Sequence, residues 1–139
     1  MKNNVIPNGN YKLATRDGNR VYTSGITPKI NGKLIKTGKL NSETDLTEYE
    51  QITQQAVKNA VQVIQEQLED NESIEQMIMM TVYVNSSEDF TAHSQIADFA
   101  SGYLAETFGT GITGSRAAVG VSSLPGNAPL EISLIAKIK

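Results

Sequence analysis

The chain has 139 residues, a length that suits one compact domain over 1–139. With 12 Lys and Arg against 15 Asp and Glu, its formal charge of −3 leaves no basic face for tracking phosphates, and the lack of Cys removes thiol nucleophiles, thiolate metal sites and disulfides together. A single His excludes a two-His acid–base pair and a multi-His metal cluster within one chain. No apolar run approaches the ~20 residues of a membrane helix, and the polar start Met1-Lys-Asn-Asn is not a signal-peptide core, so no membrane association and a cytoplasmic location are expected.

Residues 11–16 and 20–26 alternate as strands, and Asp17-Gly18-Asn19 between them is a hairpin signal. Residues 29–39 are turn-rich, with Asn31-Gly32 and Gly38, and leave room for a short extra strand or a loop. Thr47-Glu-Tyr-Glu50 fits a capping box with Thr47 as N-cap. Behind it Ile52, Ala56, Ala60, Val63, Ile64 and Leu68 fall at helical spacing and predict a helix to about residue 69, ended by Asp70-Asn71. Residues 74–84 contain Met77-Ile-Met-Met-Thr-Val-Tyr-Val84, a nearly unbroken apolar run that predicts a central buried strand, its methionines serving as core filler. Ser86 or Ser87 is expected to cap a second helix covering Phe90, Ile96, Ala97, Ala100, Tyr103, Leu104 and Phe108, with Gly109 closing it. His93 falls beside that stripe and reads as a half-buried packing residue. Residues 110–114 form a loop into the last two strands.

Those two strands are predicted to be a hairpin joined by the turn Leu124-Pro125-Gly126-Asn127. On the first, Ala117, Val119 and Val121 would face the core, with Arg116, Ala118 and Gly120 opposite. On the second, Leu130, Ile132, Leu134 and Ala136 would face it, with Glu131 and Ser133 opposite. By pattern alone, two such charges are a solvated and loosely paired couple. The small residues beside Arg116, however, leave room for a ligand against its guanidinium. A symmetric turn at Pro125-Gly126 pairs Arg116 with Ile135 and leaves Glu131 ~14 Å along the ladder. A bulge, a different loop or a second subunit would have to bring the two together.

Strand–helix–strand occurs twice, which predicts right-handed crossovers and both helices on one face of a mixed sheet. The other face, with Ile135 outward, is expected to be covered by oligomerisation.

Three anchors run along nearly the whole chain. Tyr11 stands ahead of Tyr22-Thr-Ser-Gly25; Thr81-Val-Tyr-Val84 precedes Asp89-Phe90; and Arg116-Ala-Ala-Val-Gly-Val-Ser-Ser-Leu-Pro125 is followed by Leu130-Glu131-Ile132. In these the chain resembles the RidA/YjgF family of reactive-intermediate deaminases, also labelled L-PSP endoribonucleases, as a divergent branch. It departs from the family pattern at Ala118, where the best-studied members carry Cys, at Gly114, where Pro is common, and at Glu88, where Asn is frequent. The segment 89–116 is also a few residues longer than usual.

The resemblance implies an α+β, chorismate-mutase-like fold with a mixed β-sheet and two helices packed on one face. It implies a homotrimer with clefts between subunits, and hydrolysis of 2-imino acids such as 2-iminopropanoate to 2-oxo acids and ammonia without cofactor or metal. It casts Arg116 as the carboxylate anchor, Glu131 as the base that activates water, Tyr11 as a hydrogen-bonding cleft wall, and Ser24, Gly25 and Ala118 as substrate-binding positions. The chemistry suits these residues. Arg grips a planar carboxylate bidentately, which fixes the imine carbon, and a Glu that deprotonates water contributes ~10²–10⁴-fold. Two other readings stand beside it. One is a trimer that binds a small carboxylate metabolite without turnover. The other is a ribonuclease, against which the acidic charge, the single His and the lack of a basic stripe all count.

Overall fold

Asp17 pairs with Arg20 across a two-residue turn, and Gly18 between them takes a φ of 63°, the left-handed backbone such a turn requires. The strands it joins are β1 (Ala14–Asp17) and β2 (Arg20–Thr23) of a computed structural model that describes residues 2–139. A separate small hairpin follows, β3 (Lys29–Ile30) and β4 (Lys33–Leu34), turned by Asn31 and Gly32, which both have positive φ. Then come α1 (Glu50–Gln65), β5 (Ile74–Asn85), α2 (His93–Phe108), β6 (Ser115–Val121) and β7 (Leu130–Ile138). The main sheet has the order β1-β2-β7-β5-β6. Only β5 and β6 are parallel, so the sheet is mixed as expected.

Both helices pack on one sheet face: α1 against β2 and β7, α2 against β6, and each against the other. That face buries Val21, Met80, Val82, Val84, Leu130, Ile132, Leu134 and Ala136 against Ile52, Ala56, Ile64, Ile96, Ala100 and Leu104. Among the described residues nothing covers the opposite face, and Tyr22 and Val119 on it are 39% and 42% exposed. No helix among the described residues is long and apolar enough to cross a membrane.

The helix ends differ from expectation. Asp45, not Thr47, makes the cap: its carboxylate accepts from the Thr47 amide (3.1 Å) and hydroxyl (2.7 Å), opening a 3₁₀ turn that leads into α1. Aspartate two residues earlier outcompetes the box because it serves both Thr47 donors at once. The helix stops at Gln65, short of the predicted end, and Leu68 packs on the core from the following turn. In the second helix, Ser87 hydrogen-bonds Asp89 in a turn, Phe90 is buried ahead of the helix, and α2 starts only at His93. Gly109 closes α2 as expected, with a φ of 97°. The 110–114 loop contains a 3₁₀ turn that buries Ile112.

The predicted β6–β7 hairpin does not form. β5 lies between them, paired parallel with β6 and antiparallel with β7. A long apolar strand with two free edges can take a partner on each side, so the Pro125–Asn127 turn crosses the end of β5 instead of folding back. Buried Asn85, the last residue of β5, holds that crossing. Its amide nitrogen donates to Asn127 Oδ1 (3.1 Å) and the Ala128 carbonyl (3.0 Å), and its Oδ1 accepts from Lys39 Nζ (3.0 Å).

The faces of β6 are also the reverse of the prediction. Register sets Arg116 beside Met80, Ala118 beside Val82 and Gly120 beside Val84. Since those β5 side chains point at the helices, so do Arg116, Ala118 and Gly120. Gly120 has no room for a side chain: a Cβ there would lie 2.6 Å from His93 Nε2 and 2.7 Å from Ser86 Oγ. Ala117, Val119 and Val121 lie on the uncovered face.

Candidate functional site

Four of the six residues singled out from the sequence line one cleft. Tyr11, Ser24, Gly25 and Glu131, with Asn8 and Pro125, enclose about 420 Å³ at the end of the sheet. The backbone explains the meeting. Ile26 and Ile132 exchange two hydrogen bonds of 2.8 Å, and this bridge sets Gly25 beside Glu131. A Cβ at position 25 would collide with the Glu131 carboxylate, so a larger residue there would displace it.

Glu131 points to the uncovered face beside its cross-strand partner Tyr83. Its carboxylate accepts no hydrogen bond and forms no ion pair among the described residues. Burial without a compensating charge pushes its pKa above the 4.5 of a free glutamate. Such a carboxylate is a stronger base than an exposed one and has its lone pairs free.

Ser24 acts on the chain rather than in the cleft. Its hydroxyl donates to the Lys12 and Leu13 carbonyls (2.7 and 2.9 Å), which anchors the segment that carries Tyr11. Tyr11 is 44% exposed, and its hydroxyl accepts from the Asn8 amide (3.1 Å), leaving its own proton for a ligand. The N-terminal segment is held at a second point by Asn3. That side chain donates to Asn59 Oδ1 (2.8 Å), and Asn59, buried in α1, donates in turn to the Lys29 carbonyl (2.9 Å). Lys29 Nζ donates to Asn8 Oδ1 (2.5 Å) and lines a small recess with Tyr11 and Gly25. Asn8 and Lys29 were not foreseen, and nothing in their sequence context distinguishes them from other surface polar residues.

Arg116 and Ala118 lie elsewhere. Arg116 is level with Met80 and Glu131 with Tyr83, two strands apart, which separates their Cα atoms by about 14 Å. Moreover, they project from opposite faces of the sheet, so within one chain they do not meet. The Arg116 guanidinium turns onto α2. It donates to Asp98 Oδ1 (2.8 Å), Ser101 Oγ (3.0 Å) and Ser94 Oγ (2.8 Å). Ser94, Asp98 and Ser101 are one polar stripe on a mostly apolar helix, a spacing visible in the sequence once Arg116 is known to face it. His93 packs edge-on against Phe90, with ring centroids 4.9 Å apart, in keeping with a half-buried packing role. Glu88 lines a different cavity with Asn41, Ser42, Glu43, Ser87 and Asp89. Gly114 has a structural reason of its own, because a Cβ there would lie 2.0 Å from the Met77 carbonyl oxygen.

The family model described as Endoribonuclease L-PSP matches residues 1–138. Protein TCP17 of Trypanosoma cruzi is 29% identical over 135 residues, covering 96% of this chain and 84% of the other. Among solved structures, Atu1372 of Agrobacterium tumefaciens, of unknown function, has a TM-score of 0.86 at 30% identity, over 94% of this chain and 82% of its own. A Shewanella oneidensis protein that carries the endoribonuclease label has a TM-score of 0.87 at 26% identity, over 96% and 88%.

Proposed function

The chain belongs to the Endoribonuclease L-PSP (RidA/YjgF) family and has its chorismate-mutase-like α+β fold; from that premise we propose that it hydrolyses 2-imino acids to 2-oxo acids and ammonia, in clefts shared between subunits of a homotrimer. The observation that carries this reading is the Glu131 carboxylate, which is partly buried, unpaired and raised in pKa, in a cleft it shares with Tyr11.

Arg116 of a neighbouring subunit holds the substrate carboxylate, since within the chain it faces away from Glu131. Glu131 takes a proton from water as the water oxygen bonds to the imine carbon and the C=N electron pair moves to nitrogen. The same carboxyl returns the proton to that nitrogen. Glu131 then takes the hydroxyl proton and passes it to the nitrogen as the C–N bond breaks, so ammonia leaves and the carbon–oxygen bond becomes the carbonyl. The free O–H of Tyr11 donates a hydrogen bond to the attacking oxygen or to substrate. An imine carbon is already electrophilic, so one base and one anchor suffice.

The test generates 2-iminopropanoate in place with an amino-acid oxidase and follows 2-oxo acid formation. Acceleration by the wild type, with loss of about 10²-fold or more in Glu131→Gln and Arg116→Ala, is expected. Equal rates with and without protein would refute it. The ribonuclease reading draws on the family label alone, and an acidic chain without a basic stripe gives an RNA strand little to follow.

A further inference from the structure

The guanidinium of Arg116 is already occupied. NH1 donates to Asp98 Oδ1 and Ser101 Oγ, and NH2 donates to Ser94 Oγ at 2.8 Å and to the Ser94 carbonyl at 3.4 Å. An arginine grips a carboxylate through two parallel N–H bonds from one edge. In this chain the edge formed by NH1 and NH2 is spent on one face of α2, and its only charged partner there is a carboxylate. Asp98 therefore stands where the carboxylate of a substrate would compete. The pair is also easy to open: the Asp98 side chain is 66% exposed, while that of Arg116 is 24% exposed. An exposed carboxylate can swing into water without a desolvation penalty, while the two serines keep the guanidinium plane in place.

We propose that Asp98 is a specificity-determining residue of the site, an internal carboxylate that competes with the ligand for Arg116 and so sets the affinity for carboxylate substrates. This inference rests on the reading of Arg116 as the substrate anchor. With Asp98 in place, a ligand binds Arg116 only by exchanging one ion pair for another. A carboxylate that brings further contacts, as a 2-imino acid does through its reacting carbon at Glu131, outcompetes Asp98, whereas a bare carboxylate such as acetate gains little. The serines position the fork, and the aspartate sets the threshold.

The experiment compares wild type with Asp98→Asn and Asp98→Glu, using Glu106→Gln on the same helix as a control for net charge. Titration calorimetry with 2-oxobutanoate and with acetate reads affinity, and the imine assay reads KM and kcat. Neutral asparagine is nearly isosteric at an exposed position, and a melting curve checks that each variant folds. The expected result is a drop of about two- to five-fold in Kd and KM for Asp98→Asn, the span of an exposed ion pair, with kcat unchanged. Asp98→Glu should restore wild-type values, and Glu106→Gln should match wild type. Acetate should gain at least as much as 2-oxobutanoate. Unchanged or weaker binding in Asp98→Asn overturns the proposal, as does equal tightening by Glu106→Gln or absence of 2-oxobutanoate binding in both wild type and Asp98→Asn. The two readings fail separately. No turnover with tighter binding in Asp98→Asn removes the deaminase and keeps the competition; Arg116-dependent turnover with KM unmoved in Asp98→Asn does the reverse.

Discussion

A methyl group added to the chain would have opposite consequences at two of its glycines. At Gly25 the new Cβ would meet the far end of the Glu131 side chain at 2.1 Å; at Gly114 it would meet the backbone carbonyl of Met77 at 2.0 Å. A side-chain end can rotate away, whereas a paired strand cannot. Gly25→Ala is therefore expected to fold with a near-native melting point while losing about 10²-fold in turnover, because the carboxylate is moved off its line. Gly114→Ala is expected to lose roughly 1–3 kcal/mol of stability, read by denaturant unfolding. As the proposed base, Glu131 would set stability against activity. Burial raises its folded pKa, so the stability tied to its neutral form is present at low pH and is lost as pH rises through the raised value. Glu131→Gln should melt higher than wild type at neutral pH, with the gap closing near pH 4. Catalysis runs the other way: the rising limb of kcat/KM should lie above pH 4.5 and disappear in the variant.

At the scale of elements, the β1–β2 hairpin is tied to the α1–β5 connection by one ion pair. Arg16 meets both oxygens of Glu72 at 2.6 Å and also donates to the Gln67 carbonyl (3.1 Å). With the Glu69 amide added, Arg16 lowers the Glu72 pKa from 4.5 to about 2. A lowered carboxyl pKa gives stability that is present above the unfolded value and lost as pH falls through the folded one. Glu72→Gln should therefore lower the melting temperature at pH 7, and the deficit should shrink as pH falls from 4.5 towards 2. Elements of this kind differ in how far the sequence discloses them. The run from Met77 to Val84 marked β5 because a central strand with partners on both edges is apolar and rich in β-branched residues, although in the chain its residues alternate buried and half-buried. Helical spacing marked both helices, though Asp45 and His93 moved their starts. The β6–β7 relation was misread, since a Pro-Gly turn is local while the claim of β5 on both strands is not. The same long-range register turned Arg116 onto α2, which alternation along β6 alone could not indicate. At the cleft, Tyr11, Gly25 and Glu131 were legible through a family pattern; Asn8 and Lys29 act through contacts with no sequence period.

The whole molecule must reconcile two facts about one chain: Arg116 and Glu131 lie on opposite sheet faces, and the face that bears Glu131 has no cover. A neighbouring copy set against that face would bury Tyr22 and Val119 and could bring its own Arg116 to the cleft. The arrangement would then be heterologous, with each subunit giving its arginine to one neighbour and its glutamate to the other, and three such contacts would close a ring. This geometry has a quantitative consequence. In such a ring, homogeneous Arg116→Ala would leave every cleft without its proposed anchor, and homogeneous Glu131→Gln would leave every cleft without its proposed base. In trimers reassembled from an equal mixture, a cleft is intact when its arginine donor is a Glu131→Gln subunit and its glutamate donor an Arg116→Ala subunit. Random assortment makes about a quarter of clefts intact, so about a quarter of wild-type turnover should return on unfolding and refolding the two inactive proteins together. Refolding each alone should return none. If each cleft took both residues from one chain, every subunit in the mixture would carry a defect and no activity would reappear at any mixing ratio.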